Sequence, residues 1–360
     1  MIHFRASTKF LSLLVLVAAT TLGAAGDNWS PPPPAEDGFD WIQLTSGEWL
    51  KGRIKSLQDE KLEFDSEELD LHTFDWDKIS AVRSPRLLSV RIEKLKPFDG
   101  TILVTKSEVQ VFTPEATNTY PRAELLAITP TGNREMDKWT GKISVGVSFR
   151  AGNTRQTDVN AFAAVQRRTP DTRLSLDLSA NYGKINGTDV EENYRLSGQF
   201  DYFLSRRLFV RIPDVEYFRD PFQNLEHRLQ FGVGVGYDLI KTPRTEWNVT
   251  LSPSWQRNWY VPGTSGESVA DSVAGVLDTH FDTELTKRLD WIFEYRGVLS
   301  RKETGNDTHY AKTSLEFEIH KRLKLDLTFE WERISNPQAS GTTEPEPDDL
   351  RLITSVGIDF

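Results

Sequence analysis

From Trp139 onward the chain alternates apolar and polar residues over long runs. Between positions 229 and 239, every odd position holds leucine, phenylalanine, valine or tyrosine, and the even positions hold glutamine, glycine or aspartate. This period of two predicts a β-strand with one apolar and one polar face. Most such runs have ten or more residues, whereas soluble strands usually have about five or six and a tilted membrane strand needs roughly 9 to 11. Their length therefore favours strands that cross a bilayer.

The connections between about 12 such runs alternate in length. The short ones are at 169–172, 205–207, 241–244, 286–288 and 320–322. The longer ones are at 152–157, 185–193, 219–227, 261–272, 300–309 and 335–349. Short turns at one end and long loops at the other are typical of outer-membrane barrels, whose tight turns lie in the periplasm. We therefore predict an all-β fold with a C-terminal antiparallel transmembrane β-barrel of about 12 strands at 139–360.

Aromatic residues collect where the runs meet the connections, as two aromatic belts at headgroup depth would require. The set at the short-turn end is Trp139, Trp247, Trp291 and Phe360. The set at the long-loop end is Phe149, Tyr182, Tyr194, Trp259, Tyr310 and Trp331. The last run ends on Val356, Ile358 and Phe360, and a terminal aromatic of this kind resembles the signal read by the bacterial outer-membrane assembly machinery. We expect that machinery and outer-membrane lipid to be the partners of the chain.

The N-terminal part has a different sequence pattern. Residues 1–26 combine Arg5 and Lys9 with a short apolar run and small residues, which predicts a signal peptide. The proline-rich segment 27–39 predicts an extended linker. In 40–130, two units of short alternating strands follow one another, which predicts a small duplicated SH3-like β domain. The short-turn end of the barrel holds its first residue, so we expect this domain in the periplasm, with an unknown periplasmic partner; a spacing or stabilising role is favoured over peptide or glycan binding.

The amino-acid composition excludes only a few classes of protein. The chain has no cysteine, which excludes a disulfide framework and a lipidated N-terminal cysteine. The net charge of −10 argues against a nucleic-acid partner. The 27% of charged residues fits a soluble protein or a barrel, because a barrel exposes only every second residue to lipid. A soluble periplasmic β protein therefore stays open as an alternative.

Several segments of the second half carry a family resemblance. Trp139-Thr140-Gly141, Ser144-Val145-Gly146, Gly152-Asn153-Thr154, Tyr217 to Phe222 (YFRDPF) and Arg228 to Tyr237 (RLQFGVGVGY) resemble, in this order, the family of salt-induced outer membrane proteins, catalogued as domain of unknown function 481. The similarity covers about 139–360. It implies an outer-membrane location and a barrel fold, and it implies no substrate.

The polar face of the runs carries charges of both signs, which we predict to line the lumen. These residues are Arg195, Asp201, Arg228, His280, Asp282, Glu284, Glu294, Arg296, Lys324, Asp326 and Glu330. In a narrow barrel, opposed charges can bridge the lumen. They would then either set the selectivity of a small polar channel or pair to plug the barrel and stabilise its wall, and the sequence leaves both open.

Catalytic, cofactor and metal sites are not predicted. The outer-membrane phospholipase arrangement, a serine two positions after a histidine, is missing at His72, His227, His280, His309 and His320. Around His280, acidic residues recur at period two, but ligands along a single strand lie too far apart to converge on a metal. Gly232, Gly234 and Gly236 lack the following helix that a phosphate loop needs, so they indicate room inside a narrow barrel. We predict a non-enzymatic barrel; the alternative is a barrel enzyme acting on lipid or another envelope substrate.

Overall fold

A computed structural model describes residues 38–66, 69–132, 135–152, 154–263, 268–304, 306–320, 322–339 and 345–360. Among these residues, no helix is long and apolar enough to cross a membrane. The predicted signal peptide at 1–26 and most of the predicted linker at 27–39 lie outside the described residues, as does Asn153 of the Gly-Asn-Thr segment.

The described residues of the N-terminal part form nine strands. They are β1 (Asp40–Leu44), β2 (Trp49–Gln58), β3 (Lys61–Ser66), β4 (Asp70–Asp75), β5 (Ile79–Ile92), β6 (Phe98–Val104), β7 (Glu108–Phe112), β8 (Thr117–Pro121) and β9 (Leu125–Pro130). The order of elements repeats. Three antiparallel strands, a short 3-10 turn and a fourth strand occur first as β2 to β5, with the turn at Trp76–Lys78, and again as β6 to β9, with the turn at Arg122–Glu124.

These strands form a curled sheet in the order β4-β3-β2-β1-β5-β6-β7-β8, and β9 pairs with both β2 and β5. Alternate side chains point to one apolar core. Its buried members are Ile42, Ile54, Leu57, Leu62, Phe64, Trp76, Ile79, Val82, Leu88, Val90, Ile92, Ile102, Val104, Val109, Val111, Leu125 and Ile128. The domain thus has its own apolar core.

In the C-terminal part, the residues that the structure describes form 12 longer strands. They are β10 (Trp139–Arg150), β11 (Gln156–Arg168), β12 (Thr172–Ile185), β13 (Thr188–Phe203), β14 (Leu208–Asp220), β15 (Leu225–Lys241), β16 (Thr245–Tyr260), β17 (Val269–Thr286), β18 (Leu289–Leu299), β19 (Asp307–His320), β20 (Leu323–Ile334) and β21 (Asp348–Asp359). Each strand pairs antiparallel with the next, and β21 pairs with β10, so that the sheet closes. The prediction of an antiparallel barrel of about 12 strands is confirmed.

The closing seam includes the last residue of the chain. Lys142 lies opposite Asp359 and Val145 opposite Val356. The backbone groups of Gly141 and Phe360 exchange two hydrogen bonds, each 2.9 Å long. Val356, Ile358 and Phe360 are exposed on the outer face of this seam.

We call the end of the barrel at which β10 begins the near end, and the opposite end the far end. The near-end turns are short, as the sequence predicts. At the far end, two predicted loops are largely strand: β12 and β13 meet at a two-residue turn, and β14 and β15 are separated by 221–224. The turn between β12 and β13 is Asn186-Gly187, with φ of 51° and 88°, the pair of residues that a tight hairpin of this kind favours.

Candidate functional site

The inner surface of the barrel is polar and its outer surface is apolar. On β15, the Phe231 side chain is 48% exposed on the outside, whereas Gln230 is 1% exposed inside. β16 repeats the pattern, with Leu251 and Trp255 exposed outside and Thr250, Ser252 and Ser254 buried inside. Because polar side chains fill the interior, the lumen is the candidate functional site.

The glycine stripe of β15 lies on the inner wall, where neighbouring side chains crowd against it. A Cβ atom on Gly232 or Gly234 would come within 2.3 Å of Ser254 Oγ or 2.2 Å of Ser252 Oγ, respectively. On Gly236 it would lie 2.1 Å from the ring of Phe209. These glycines make room in the lumen for the side chains of β14 and β16, which is the explanation that the sequence favours.

A network of ion pairs crosses the lumen in the half nearer the far end. Arg195 on β13 lies 2.8 Å from Glu216 on β14 and 2.6 Å from Glu332 on β20. β13 and β20 are on opposite walls, with β10, β11, β12 and β21 between them in one direction. Arg228 and Arg296 also reach Glu216, at 3.1 and 3.4 Å. We call Arg195, Glu216, Arg228, Arg296 and Glu332 the cross-lumen network.

The side chain of Tyr310 belongs to this interior and not to the outer aromatic belt. Its ring lies 4.4 Å from the guanidinium of Arg195, and its hydroxyl donates to Glu330 Oε1 at 3.1 Å. The prediction that it belongs to the far-end belt is therefore wrong. Position 310 shares its face of β19 with Lys312 and Glu316, because alternate residues of a strand point to the same side.

The other predicted lumen charges also lie on the inner face, in smaller groups. Asp201 binds Arg173 at 2.8 Å and Arg211 at 2.7 Å. Lys324 lies 3.0 Å from Glu316 and 3.2 Å from Asp359. These pairs link neighbouring strands along the wall.

Asp326 and Glu330 extend the same pattern on β20. Asp326 accepts hydrogen bonds from Lys142 and Ser144, both 2.9 Å long. Glu330 lies 3.7 Å from Arg351 on β21. Each inner charge on this strand therefore faces a group of opposite charge.

His280 lies beside an acidic partner on the next strand. Its Nδ1 atom is 3.5 Å from Glu294 Oε1, and Glu294 is 3.4 Å from Lys312. Asp282 and Glu284 continue this face of β17 toward the near end, where they are half-buried. No group of three or more histidine, cysteine, aspartate or glutamate side chains among the described residues could hold a metal ion.

Some inner residues do not follow strict alternation along their strand. On β14, Arg211 faces inward, and so do Asp214 and Glu216, because the pairing with both neighbouring strands shifts between Arg211 and Asp214. Pro213 lies within this irregularity and has no N–H to donate to the ladder, so it is the sequence signal for the change of phase. Asp214 lies 3.6 Å from Arg296 and so joins the edge of the cross-lumen network.

A polar cavity of about 50 Å³ lies inside the wall, and its lining includes Lys142, Asn160, Asn181, Lys312, Glu316 and Asp326. One water needs roughly 10–15 Å³ of such space, so the cavity has room for a few water molecules. Elsewhere on the inner face, the side chains of His280 and Glu294 are 41% and 37% exposed.

Two histidines in the described residues bind tyrosine hydroxyls. His227 Nδ1 lies 2.9 Å from the Tyr217 hydroxyl, and His309 Nδ1 lies 2.8 Å from the Tyr295 hydroxyl. A hydrolytic site requires a serine or similar group within reach of the base. Within the described part of the chain, the ring of His227 also packs against Trp259 and that of His309 against Trp331.

The family described as "Protein of unknown function, DUF481" matches residues 143–360. No curated protein matches the chain.

Similar solved structures include a NanC porin, with 9% identity, 61% of this chain and 97% of that chain covered, and a TM-score of 0.37. The translocator domain of the autotransporter NalP from Neisseria meningitidis has 9% identity, 62% and 86% coverage, and a TM-score of 0.35. An outer membrane channel from Pseudomonas putida F1 has 11% identity, 62% and 95% coverage, and a TM-score of 0.36. At scores this low, what those proteins bind or transport carries no argument about this chain.

Proposed function

This chain belongs to the DUF481 family, whose match over 143–360 agrees with the resemblance in its sequence, and from that premise we propose that it is an outer-membrane β-barrel with a narrow polar channel. In this proposal, the cross-lumen network holds the channel in a state of low conductance. The N-terminal β domain lies in the periplasm, and the barrel has no catalytic role.

The outer surface supports the membrane location. Large apolar side chains are exposed on successive strands around the barrel, among them Val235, Leu251, Val273, Leu327 and Leu352. Soluble monomers rarely expose contiguous apolar patches of more than a few hundred Å². A closed barrel also leaves no unpaired strand edge, which a bilayer would not tolerate.

Two features support the orientation and the partners. The near-end turns are short, and short turns lie in the periplasm in barrels of this class. Val356, Ile358 and Phe360 are exposed at the near end of β21, where the assembly machinery would meet them. Outer-membrane lipid and that machinery are the partners that we propose.

The single observation that carries the channel proposal is that paired charges line the inner face of the barrel and bridge its opposite walls. Glu216 and Arg228 are buried, and both belong to the cross-lumen network. Ion pairs can exchange partners with water and salt ions, whereas an apolar plug would exclude them. The polar wall and the cavity of about 50 Å³ offer a path for small ions once the network loosens.

Conductance in a planar bilayer tests the proposal. The wild-type chain should carry a small steady current. The double variant Arg195→Gln/Glu332→Gln should carry a several-fold larger current, because it removes the bridge between opposite walls without leaving either charge alone. The matched control is Arg257→Gln, which breaks an exposed pair with Asp271 on the outer face and should leave the current unchanged.

The outcomes separate the alternatives. If neither the wild type nor the double variant carries current above that of lipid alone, the channel proposal fails and a structural barrel remains. Release of fatty acid from labelled lipid by the same purified protein would favour the enzyme alternative.

A further inference from the structure

The turn between β2 and β3 of the N-terminal domain reaches the near end of the barrel. It consists of Asp59 and Glu60, with φ of 47° and 61°, values that glycine or asparagine adopts more readily. Both carboxylates nevertheless contact cations of the barrel: Asp59 binds Arg168 and Lys241, and Glu60 binds Arg206. These contacts with the barrel explain why the turn holds acidic residues.

Asp59 lies in a pocket made of two cations and an aromatic ring. Its Oδ1 atom is 2.9 Å from Arg168 Nη2 and 2.9 Å from Lys241 Nζ. Arg168 stacks 4.0 Å from the centre of the Phe203 ring, and Lys241 lies 5.2 Å from it. Lys241 also pairs with Asp238 at 3.1 Å. We call Arg168, Phe203 and Lys241 the near-mouth pocket.

The near-mouth pocket has more donors than Asp59 uses. The Nε and Nη1 atoms of Arg168 are buried and have no hydrogen-bond acceptor among the described residues. A guanidinium binds a carboxylate best through two parallel N–H groups, whereas Asp59 engages only one. The pocket could therefore hold a carboxylate more completely than the tethered Asp59 allows.

The charges around Asp59 favour an ionised group in the near-mouth pocket. Burial alone would raise the pKa of Asp59, but Arg168 and Lys241 prevail and hold this pKa well below its usual range. Asp59 is accordingly charged at neutral pH, and a neutral group in its place would remove the carboxylate that pairs with Arg168.

Further polar contacts join the two parts. Arg91 donates to the carbonyl of Phe203 at 2.6 Å, and Arg206 donates to the carbonyl of Ala123 at 2.9 Å. Polar interfaces of this kind between parts of one chain commonly permit relative motion. Undocking of the turn would empty the near-mouth pocket.

We propose that the near-mouth pocket is a binding site for small carboxylate anions and that Asp59 occupies it as an internal ligand. External carboxylates compete with Asp59 and so favour release of the N-terminal domain from the near end. This site does not depend on the channel proposal, because it requires only the pocket and the docked turn.

Binding of ¹³C-labelled acetate to the full chain in detergent, followed by NMR line broadening, tests the site. The variant Asp59→Gly empties the pocket and suits the positive φ, so it should bind acetate saturably and more tightly than the wild type, in which acetate must displace Asp59. Adding Arg168→Gln and Lys241→Gln should weaken that binding about tenfold or more, because hydrogen bonds to charged groups are lost. The matched control is Asp65→Gly, which breaks the exposed pair with Lys55 and should create no site.

A second variant keeps the test decisive if Asp59→Gly does not fold. Asp59→Asn preserves the shape and removes the charge, so it should also gain acetate binding, with lower affinity because the amide still fills part of the pocket. The proposal is overturned if the folded variant binds acetate no better than the wild type, or if binding survives the loss of both Arg168 and Lys241.

Discussion

The N-terminal domain and the barrel use the same alternating pattern with opposite results. In the domain, the apolar face of the sheet packs into a core that includes Ile54 and Phe64, both fully buried. In the barrel, the apolar face points outward and the polar face is enclosed, as Leu251 and Glu216 illustrate. Period two alone thus predicts a two-faced sheet, and the solvent on each face decides which side is the interior.

The largest expected effect comes from a cavity in the domain core. Phe64→Ala should lower the free energy of unfolding of the domain by about 3–5 kcal/mol, as large-to-small substitutions of a buried phenylalanine do. Pulse proteolysis of the full chain in urea measures it. Leu71→Ala, at an exposed position of β4, should change it by less than about 0.5 kcal/mol. Equal effects at both positions would contradict the burial of Phe64 in an apolar core.

The equivalent test inside the barrel removes a charge. Arg195→Met removes the closest partner of Glu332 and leaves it with Arg351 at 4.0 Å. The variant should cost about 3–5 kcal/mol, because a buried charge that loses its partner is strongly destabilising. Adding Glu332→Gln should recover much of that loss, while Glu216 keeps Arg228 and Arg296. Heat-dependent migration of the barrel on a denaturing gel, measured against urea, reports both variants. No recovery in the double variant would mean that the network does not act through charge pairing.

An arginine introduced on the outer surface of the barrel or of the domain tests whether that surface faces lipid or water. Leu251, near the middle of β16, is 62% exposed, and Leu71 in the domain is 56% exposed. Leu251→Arg should destabilise the barrel in liposomes by about 2–4 kcal/mol, the cost of arginine at the midplane of a bilayer. Leu71→Arg should stay within about 0.5 kcal/mol, as a surface substitution in water does. Equal tolerance at the two sites would indicate that both face water.

The smallest effect concerns the segment between the two parts. Hydrogen bonds from Arg167 and then Lys138 lower the pKa of Glu135 from 4.5 to about 2. Because its pKa is lower in the folded state, ionised Glu135 stabilises that state at pH values above the ordinary pKa of a glutamate. This contribution to stability is lost as the pH falls through about 2. ¹³C NMR titration of the carboxyl group should therefore show Glu135 ionised at pH 4. Arg167→Gln should raise its pKa toward 4.5, and an unchanged midpoint would contradict the contact.

Much of this architecture is predictable because each strand carries its own period-two signal. The run that ends at Phe360 is one example, and the run that contains Gly232 and Gly236 is another. Each predicts which residues point inward and how long its strand is. The signal fails where geometry shifts the phase, as between Arg211 and Asp214, and where a residue such as Tyr310 fits either a belt or the lumen. The connection at 185–193 shows that Asn186-Gly187 is a stronger turn signal than the polar residues around it.

The contacts across space were not predictable in the same way. Arg195 and Glu332 are separated by 137 positions, and only closure of the barrel brings them together. Asp59 is equally ordinary in sequence, since nothing local indicates that Arg168 and Lys241 will surround it. Pairing across the lumen and docking between the two parts depend on tertiary geometry, which alternation alone does not contain.

The most direct test asks what the exposed apolar residues touch. Because the chain has no cysteine, single spin labels can be placed at Val235, Leu251 or Phe329 on the barrel and at Leu71 or Leu87 on the domain. For protein in liposomes, EPR should find the barrel sites accessible to oxygen and shielded from a water-soluble nickel complex, and the domain sites accessible to the nickel complex. If the nickel complex reaches the barrel sites as readily as the domain sites, the outer face of the barrel does not meet lipid.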